Sequence, residues 1–108
     1  MRFGRSIMVM MTALCAVGQP AAAGEFTVIQ KNREFSQSEL RVRAGDDVVF
    51  TNLDIVMHNV YSASPGNEFQ IRKQMPGQTH TVRFVGSGRV DVQCAVHPSM
   101  SLVIHVAP

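Results

Sequence analysis

The chain is 108 residues long, the size of a single domain, and its formal net charge is +2. Two of its ten basic side chains, Arg2 and Arg5, lie at the very start, so the other eight balance the eight Asp and Glu residues. A nearly neutral domain argues against nucleic acid or an anionic membrane surface as the partner.

Residues 1–23 have the features of a cleavable secretory signal. Two arginines precede an apolar run over residues 7–17, and three alanines at 21–23 form a small-residue cleavage site. The apolar run is too short for a membrane-spanning helix. We therefore expect a periplasmic or otherwise exported protein whose mature part, residues 24–108, is a single domain.

The remaining chain shows short strands separated by turns, with no stretch of helical period. Alternating and β-branched residues predict strands at 25–30, 39–44, 48–52, 55–62, 79–85, 89–94 and 101–107. The polar segment 31–38 is predicted to be a loop. Gly, Pro, Asn and Asp predict turns at 45–47, 52–54, 64–67, 75–77 and 86–88. Short strands with turns at this spacing indicate an all-β fold, an antiparallel sandwich or barrel.

Cys94, His97 and Met100 follow one another at intervals of three residues, between two β-branched segments. This predicts a strand ending at Cys94, a short loop, and a strand restarting near Ser101, which brings the three side chains together. Thiolate and thioether ligands select a soft metal, and Cys and His with a weak axial Met are typical of a copper electron-transfer site. Cys94 is the single cysteine of the predicted mature domain, so it has no disulfide partner within it.

Three segments, 57–60, 76–82 and 88–100, resemble the cupredoxins, the type 1 blue copper family, in their order and spacing. The first contains the pair His58-Asn59, and the third contains the loop Cys-x-x-His-x-x-Met. This short loop is most similar to those of the amicyanin-like and plastocyanin-like small copper proteins. The resemblance covers most of the predicted mature domain.

The resemblance implies a Greek-key β-sandwich with one copper ion. In the family, two histidines and a cysteine lie in a plane around the metal and a methionine is the distant axial ligand; these positions match His58, Cys94, His97 and Met100. The family also implies that Asn59 tethers the ligand loop by hydrogen bonds. Such a protein shuttles single electrons between exported redox partners and is not an enzyme.

The resemblance further implies where a partner binds. The second histidine of the family presents its ring edge at the surface, so we expect a redox donor and acceptor to dock near His97, with Pro98 and Ser99 around it. We expect a monomer. Because the predicted mature domain has almost no net charge, we expect little long-range steering of the encounter.

Two other histidines are assigned from strand register. If residues 86–88 form a hairpin turn, His80 faces Cys94 on the inner face, close to the thiolate. There it is a second-shell candidate whose protonation shifts the reduction potential. His105 has the opposite parity to the apolar residues around it and is expected to face solvent.

Other functions are compatible with the same residues. One is a copper carrier or chaperone, although three methionines in the predicted mature domain are few for such a protein. Another is a hydrolase with Cys94 as nucleophile and a histidine as base, and a third is a metal-free binding module. Taken singly, Cys94 is compatible with an inert buried thiol and His58 with an ordinary strand histidine. Met100 is compatible with a core residue, and Met75 is then the reserve candidate for the axial ligand.

Overall fold

A computed structural model describes residues 23–108, so the predicted signal segment, apart from its last residue, lies outside the described residues. The described part contains strands and turns and no helix, hence none that is long and apolar enough to cross a membrane. Its strands are β1 (Glu25–Lys31), β2 (Glu34–Phe35), β3 (Glu39–Arg43), β4 (Asp47–Asn52), β5 (His58–Ser62), β6 (Phe69–Gln74), β7 (Thr79–Arg83), β8 (Gly88–Cys94) and β9 (Ser101–Ala107).

These strands form two sheets that pack face to face. One sheet has the order β2-β1-β4-β7 and the other β3-β9-β8-β5-β6. Alternate residues of both sheets are buried in one core; for example, Phe50 on β4 lies against Phe69 on β6, with ring centroids 5.7 Å apart. The predicted all-β sandwich is confirmed.

The sheets are mixed rather than purely antiparallel. β1 pairs with β4 and β3 pairs with β9 in parallel, whereas the other pairings are antiparallel. Each parallel pair joins strands that are not consecutive in the chain, and at least one strand between them lies in the opposite sheet. The apolar alternation of a half-buried strand is the same for both directions of pairing, so it does not reveal these two parallel pairs.

The predicted hairpin at residues 86–88 is wrong, because the chain there crosses from one sheet to the other. β7 pairs with β4, whereas β8 pairs with β5 and β9. Phe84 is buried at the crossing. The Asn67 side-chain oxygen accepts hydrogen bonds from the backbone N–H groups of Val85 and Gly86, at 2.9 and 3.3 Å. These bonds hold the crossing in place.

Two strands, β2 and β6, are absent from the sequence prediction. β2 is only two residues long, too short for a visible alternation. In β6 the register shifts between the pairs that His58 and Val60 form, and the exposed neighbours Arg72 and Lys73 lie at this bulge. Lys73 has a φ of 51°, a left-handed conformation. The bulge interrupts the period-2 pattern on which the prediction depends.

Candidate metal centre

Three predicted ligands meet at one end of the sandwich. Cys94 is the last residue of β8, His58 is the first residue of the adjacent antiparallel strand β5, and His97 lies in the loop after Cys94. The Cys94 Sγ atom is 3.6 Å from Nδ1 of His58 and 3.9 Å from Nδ1 of His97. The three donor atoms all lie within 4.8 Å of one another.

This spacing fits a single metal ion. Bonds of about 2.0–2.3 Å from one ion to sulfur and nitrogen donors place those donors about 3.5–3.7 Å apart at trigonal or tetrahedral angles. The observed sulfur–nitrogen distances of 3.6 and 3.9 Å are close to this range. One thiolate and two imidazoles form a set that suits copper or zinc, and a methionine as a further ligand favours copper.

Backbone hydrogen bonds shape the loop that carries His97. Its N–H donates to the Cys94 carbonyl at 3.3 Å, and the Met100 N–H donates to the His97 carbonyl at 2.9 Å. The loop therefore consists of two consecutive four-residue turns, 94–97 and 97–100, which share His97. The regular spacing of the ligands in the sequence is the spacing of these turns.

Asn59 ties this loop to β5 through its backbone. Its N–H donates to the Cys94 Sγ atom at 3.3 Å, and its carbonyl accepts from the Ala95 N–H at 2.9 Å. A backbone donor to the sulfur stabilises the thiolate form that a metal requires. The side-chain oxygen of Asn59 is buried and finds no hydrogen-bond partner among the described residues.

The His58 ring is completely buried and is oriented by Asp54, a residue that the sequence analysis assigned only to a turn. One Asp54 oxygen, Oδ2, lies 3.0 Å from Nε2 of His58 and accepts the Arg33 N–H at 2.7 Å. The other oxygen accepts the Ile55 N–H at 2.8 Å. An ionised carboxylate fixes the proton on Nε2 and leaves Nδ1 free to bind a metal.

The surroundings of Asp54 keep it ionised. Burial raises the pKa of this carboxyl, but hydrogen bonds from the Arg33 N–H, the His58 ring and the Ile55 N–H outweigh that effect and lower the pKa to about 2. A position four residues before a strand histidine is the one signal in the sequence that points to Asp54. It is weak, because the contact depends on how the chain bends between them.

His97 is placed differently, since it is only partly buried and lies on a loop. Its ring meets the His58 ring edge to face, with centroids 5.0 Å apart. Its Nε2 atom accepts a hydrogen bond from the Arg33 guanidinium Nε at 3.3 Å. Arg33 therefore contacts the surroundings of both histidines: its backbone N–H binds Asp54, the partner of His58, and its side chain binds His97. The sequence predicts only that Arg33 lies in a loop.

Met100 ends the ligand loop with its side chain buried, 1% exposed, within the apolar core. Met75, the reserve axial candidate, is about half exposed on the loop after β6. The burial of Met100 at the end of the ligand loop favours it over Met75 as the thioether ligand.

The predicted place of His80 beside the thiolate is wrong. His80 lies on β7 opposite Phe50, in the other sheet, and its ring is exposed. Its Nδ1 atom is 3.5 Å from the Gln74 side-chain nitrogen, which is fully buried and donates to the Phe50 carbonyl. His105 lies on β9 and contacts Glu39 on the adjacent strand, with Nε2 and Oε2 2.9 Å apart.

Comparisons with known proteins agree with this geometry. The family described as copper binding proteins, plastocyanin/azurin family, matches residues 22–107. Amicyanin-alpha of Methylorubrum extorquens is 35% identical over 97 residues, which cover 82% of each chain. The methylamine utilization protein MauL of the same organism is 31% identical over 96 residues, which cover 88% of this chain and 84% of MauL.

The fold agrees as well. A structure of an amicyanin mutant in its reduced Cu(I) form superposes with a TM-score of 0.69 at 25% identity, over 80% of this chain and 85% of that one. The sequence match over nearly all described residues, together with a buried thiol between two histidines, identifies the family. The chain belongs to the plastocyanin/azurin family of copper-binding proteins, the cupredoxins.

Proposed function

We propose that this protein is a mononuclear type 1 copper protein that carries single electrons between exported redox partners, with the metal bound by His58, Cys94, His97 and Met100. The observation that carries the proposal is the convergence of three donor atoms, Cys94 Sγ and one ring nitrogen of each of His58 and His97, within 4.8 Å of one another. A thiolate with two imidazoles and a methionine is the donor set of a one-electron copper site.

The protein surroundings suit a site that changes charge without moving its ligands. Copper bound there supplies the Cu(I)/Cu(II) couple. His58 is held from behind by the Asp54 carboxylate at 3.0 Å, and the Cys94 sulfur accepts the Asn59 N–H at 3.3 Å. Ligands whose orientation is fixed by strands and hydrogen bonds need little reorganisation when an electron arrives or leaves.

The surface around His97 suits the docking of a protein partner. Pro98 and Ser99 beside it are exposed, as the sequence analysis expected for this loop. Large apolar side chains are also exposed on the loops at this end of the sandwich: Leu53, Ile55, Met75 and Val96. A partner that covers this apolar surface brings its own redox centre close to the His97 ring, the ligand nearest to solvent.

The burial of the thiol argues against a hydrolase. Cys94 is 1% exposed and is enclosed by two histidines and the Asn59 N–H. A nucleophile has to reach a substrate carbonyl, and this sulfur has no open approach. We therefore infer that the protein has no catalytic activity of its own.

The secretory features of residues 1–23 support a separate proposal, that the protein acts as an exported monomer after these residues are removed.

Voltammetry of the copper-loaded domain tests the proposal. We expect one reversible one-electron wave, with copper retained when a chelator is added in excess. A copper carrier gives the opposite result: rapid transfer of copper to the chelator, and no stable wave. The variant His105→Gln is a suitable control, because it removes a histidine on β9 that is not part of the ligand set.

A further inference from the structure

The end of the sandwich that carries the metal ligands has an uneven distribution of charge. In the described part of the chain, the exposed charged side chains on or beside its loops are Lys31, Arg33, Glu34, Glu39 and Lys73. Asp54, the remaining charged residue there, is buried and accepts three hydrogen bonds. Three cations therefore face solvent with two carboxylates, one of which, Glu39, contacts His105 at 2.9 Å.

At the opposite end, two pairs of charges of opposite sign contact each other. Arg83 contacts Asp47 across β7 and β4 at 3.0 Å, and Arg89 contacts Asp91 on β8 at 3.0 Å. These pairs cancel locally. A domain with almost no net charge therefore presents a positive surface at its ligand end, and the docking geometry depends on that local field rather than on the sum.

Arg33 is the cation that is fixed beside the ligands. It lies in the turn between β1 and β2, where Asn32 and Arg33 have φ values of 54° and 56°. Its backbone N–H is anchored on Asp54 at 2.7 Å, and its guanidinium Nε lies 3.3 Å from Nε2 of His97. The turn thus holds a permanent positive charge over the exposed edge of His97.

The contact between Arg33 and His97 depends on which ring nitrogen carries the proton. When Nδ1 of a neutral histidine binds a metal, the proton is on Nε2. Two donors then face each other, so the guanidinium turns away from the ring and is free to contact another acceptor. The charge of the guanidinium is the same in both states, so the metal-free protein also presents this cation beside His97.

We propose that Arg33, with Lys31 and Lys73 beside it, makes the surface around His97 a docking site for an acidic surface of the protein redox partner. The exposed apolar side chains of Leu53, Ile55 and Val96 supply contact area, and the cations select partners by charge. This inference rests on the proposed electron-carrier function. It replaces the expectation that steering matters little with a dependence on ionic strength.

A binding experiment on the metal-free protein tests the charge argument without copper. In a nitrogen-15 chemical-shift titration at low ionic strength, we expect a poly-glutamate peptide to shift amides in the turn at 32–33 and in the loop at 95–100. Arg33→Gln weakens this binding by about fivefold, the effect of one charge at contact distance in water. Arg33→Lys, which retains the charge, preserves binding.

The matched control is Arg89→Gln, which removes the same charge at the other end of β8, where Arg89 contacts Asp91. It leaves the titration unchanged. Equal weakening by Arg33→Gln and Arg89→Gln shows that only net charge matters and overturns the proposal. The proposal is also overturned if sedimentation shows a dimer that Arg33→Gln dissociates, since the occupant of the surface is then a second copy.

Kinetics of the copper-loaded protein separate this inference from the proposed function. We expect oxidation of the reduced protein by the hexacyanoferrate(III) anion to slow about fivefold in Arg33→Gln at low ionic strength, and oxidation by the tris(1,10-phenanthroline)cobalt(III) cation to accelerate. Rates for both oxidants that are unaffected by Arg33→Gln contradict the docking proposal alone. Failure of every oxidant to react contradicts the electron-carrier function instead.

Discussion

His58 and His97 have ring centroids only 5.0 Å apart, yet their surroundings are opposite. His58 begins a strand, is completely buried and has its Nε2 atom 3.0 Å from a buried carboxylate. His97 lies in a loop of two tight turns, is partly exposed and contacts the guanidinium of the exposed Arg33. In both residues, Nδ1 is the ring nitrogen that faces the Cys94 sulfur.

The difference separates two requirements of an electron carrier. The strand side of the site, with His58 and Asp54, holds the geometry constant. The loop side, with His97 and Arg33, is where another molecule can approach. The predictions that follow test whether the two sides differ as the structure indicates, beginning with the largest expected effect.

Replacing each histidine by glycine should give unequal results. Both His58→Gly and His97→Gly lose the native copper spectrum. Free imidazole added to His97→Gly should restore it, because the space left by the ring opens to solvent. The same addition to His58→Gly should restore little, since that space is buried and loses the Asp54 contact. The measurement is the visible absorption of the copper-loaded variants with increasing imidazole.

Equal rescue of both variants contradicts the proposed division between a closed and an open side. If imidazole restores the spectrum of neither variant, although circular dichroism shows that both are folded, the exposed edge of the site is not at His97.

Removing the charge of Asp54 should destabilise the strand side. Asp54→Asn leaves at least one of the three donors around this side chain without an acceptor, so the free energy of unfolding of the metal-free protein should fall by about 2 kcal/mol. Urea unfolding at pH 7 measures it. Asp91→Asn, at an exposed pair with Arg89, is the control and should change stability by less than about 0.5 kcal/mol. A loss no larger than in this control means that Asp54 does not position His58.

Met100→Leu tests the proposed thioether ligand. Leucine occupies a similar volume in the core, so stability should change by less than about 1.5 kcal/mol. The thiolate-to-copper absorption should persist while the midpoint potential changes, because the axial ligand tunes the potential. Voltammetry measures the potential, and Met75→Leu is the matched control. An unchanged potential in Met100→Leu together with a changed one in Met75→Leu assigns the thioether to Met75.

The smallest effect is expected at Asp46, at the far end of the sandwich. Hydrogen bonds from the backbone N–H groups of Arg43 and then Gly24 lower the pKa of Asp46 below its usual 3.8. A lowered pKa in the folded state stabilises the protein above pH 3.8, and this contribution is lost as the pH falls through the folded pKa. Asp46→Asn should therefore lower Tm at pH 7, and the difference from wild type should shrink below about pH 4. A Tm difference that is independent of pH contradicts this assignment.

The sequence predicts the ligand loop well because its information is local. Cys94, His97 and Met100 lie within seven residues, and the turns between them follow from their spacing. The apolar alternation likewise predicts the sandwich. The structure places His58 next to Cys94 because their strands are neighbours.

The features that the sequence does not predict depend on contacts between distant segments. Arg33 and His97 are 64 residues apart in the sequence, and their contact depends on the conformation of a turn that the hydrophobic pattern of the sequence does not predict. His80 shares the face of its partner Phe50, as its parity predicts, but it lies in the sheet opposite to Cys94, because a Gly-rich segment serves equally well as a hairpin turn and as a crossing between sheets. The pairing of β7 with β4 and of β8 with β5 and β9 distinguishes these two possibilities, and the Asn67 side chain binds the crossing at 2.9 Å.

The central claim is that a thiolate and two imidazoles bind one copper ion, and the visible and electron paramagnetic resonance spectra of the Cu(II)-loaded domain test it most directly. The account predicts an intense thiolate-to-copper band with a small copper hyperfine splitting, both lost in Cys94→Ser. A weakly coloured, tetragonal copper spectrum that is the same in wild type and Cys94→Ser contradicts it.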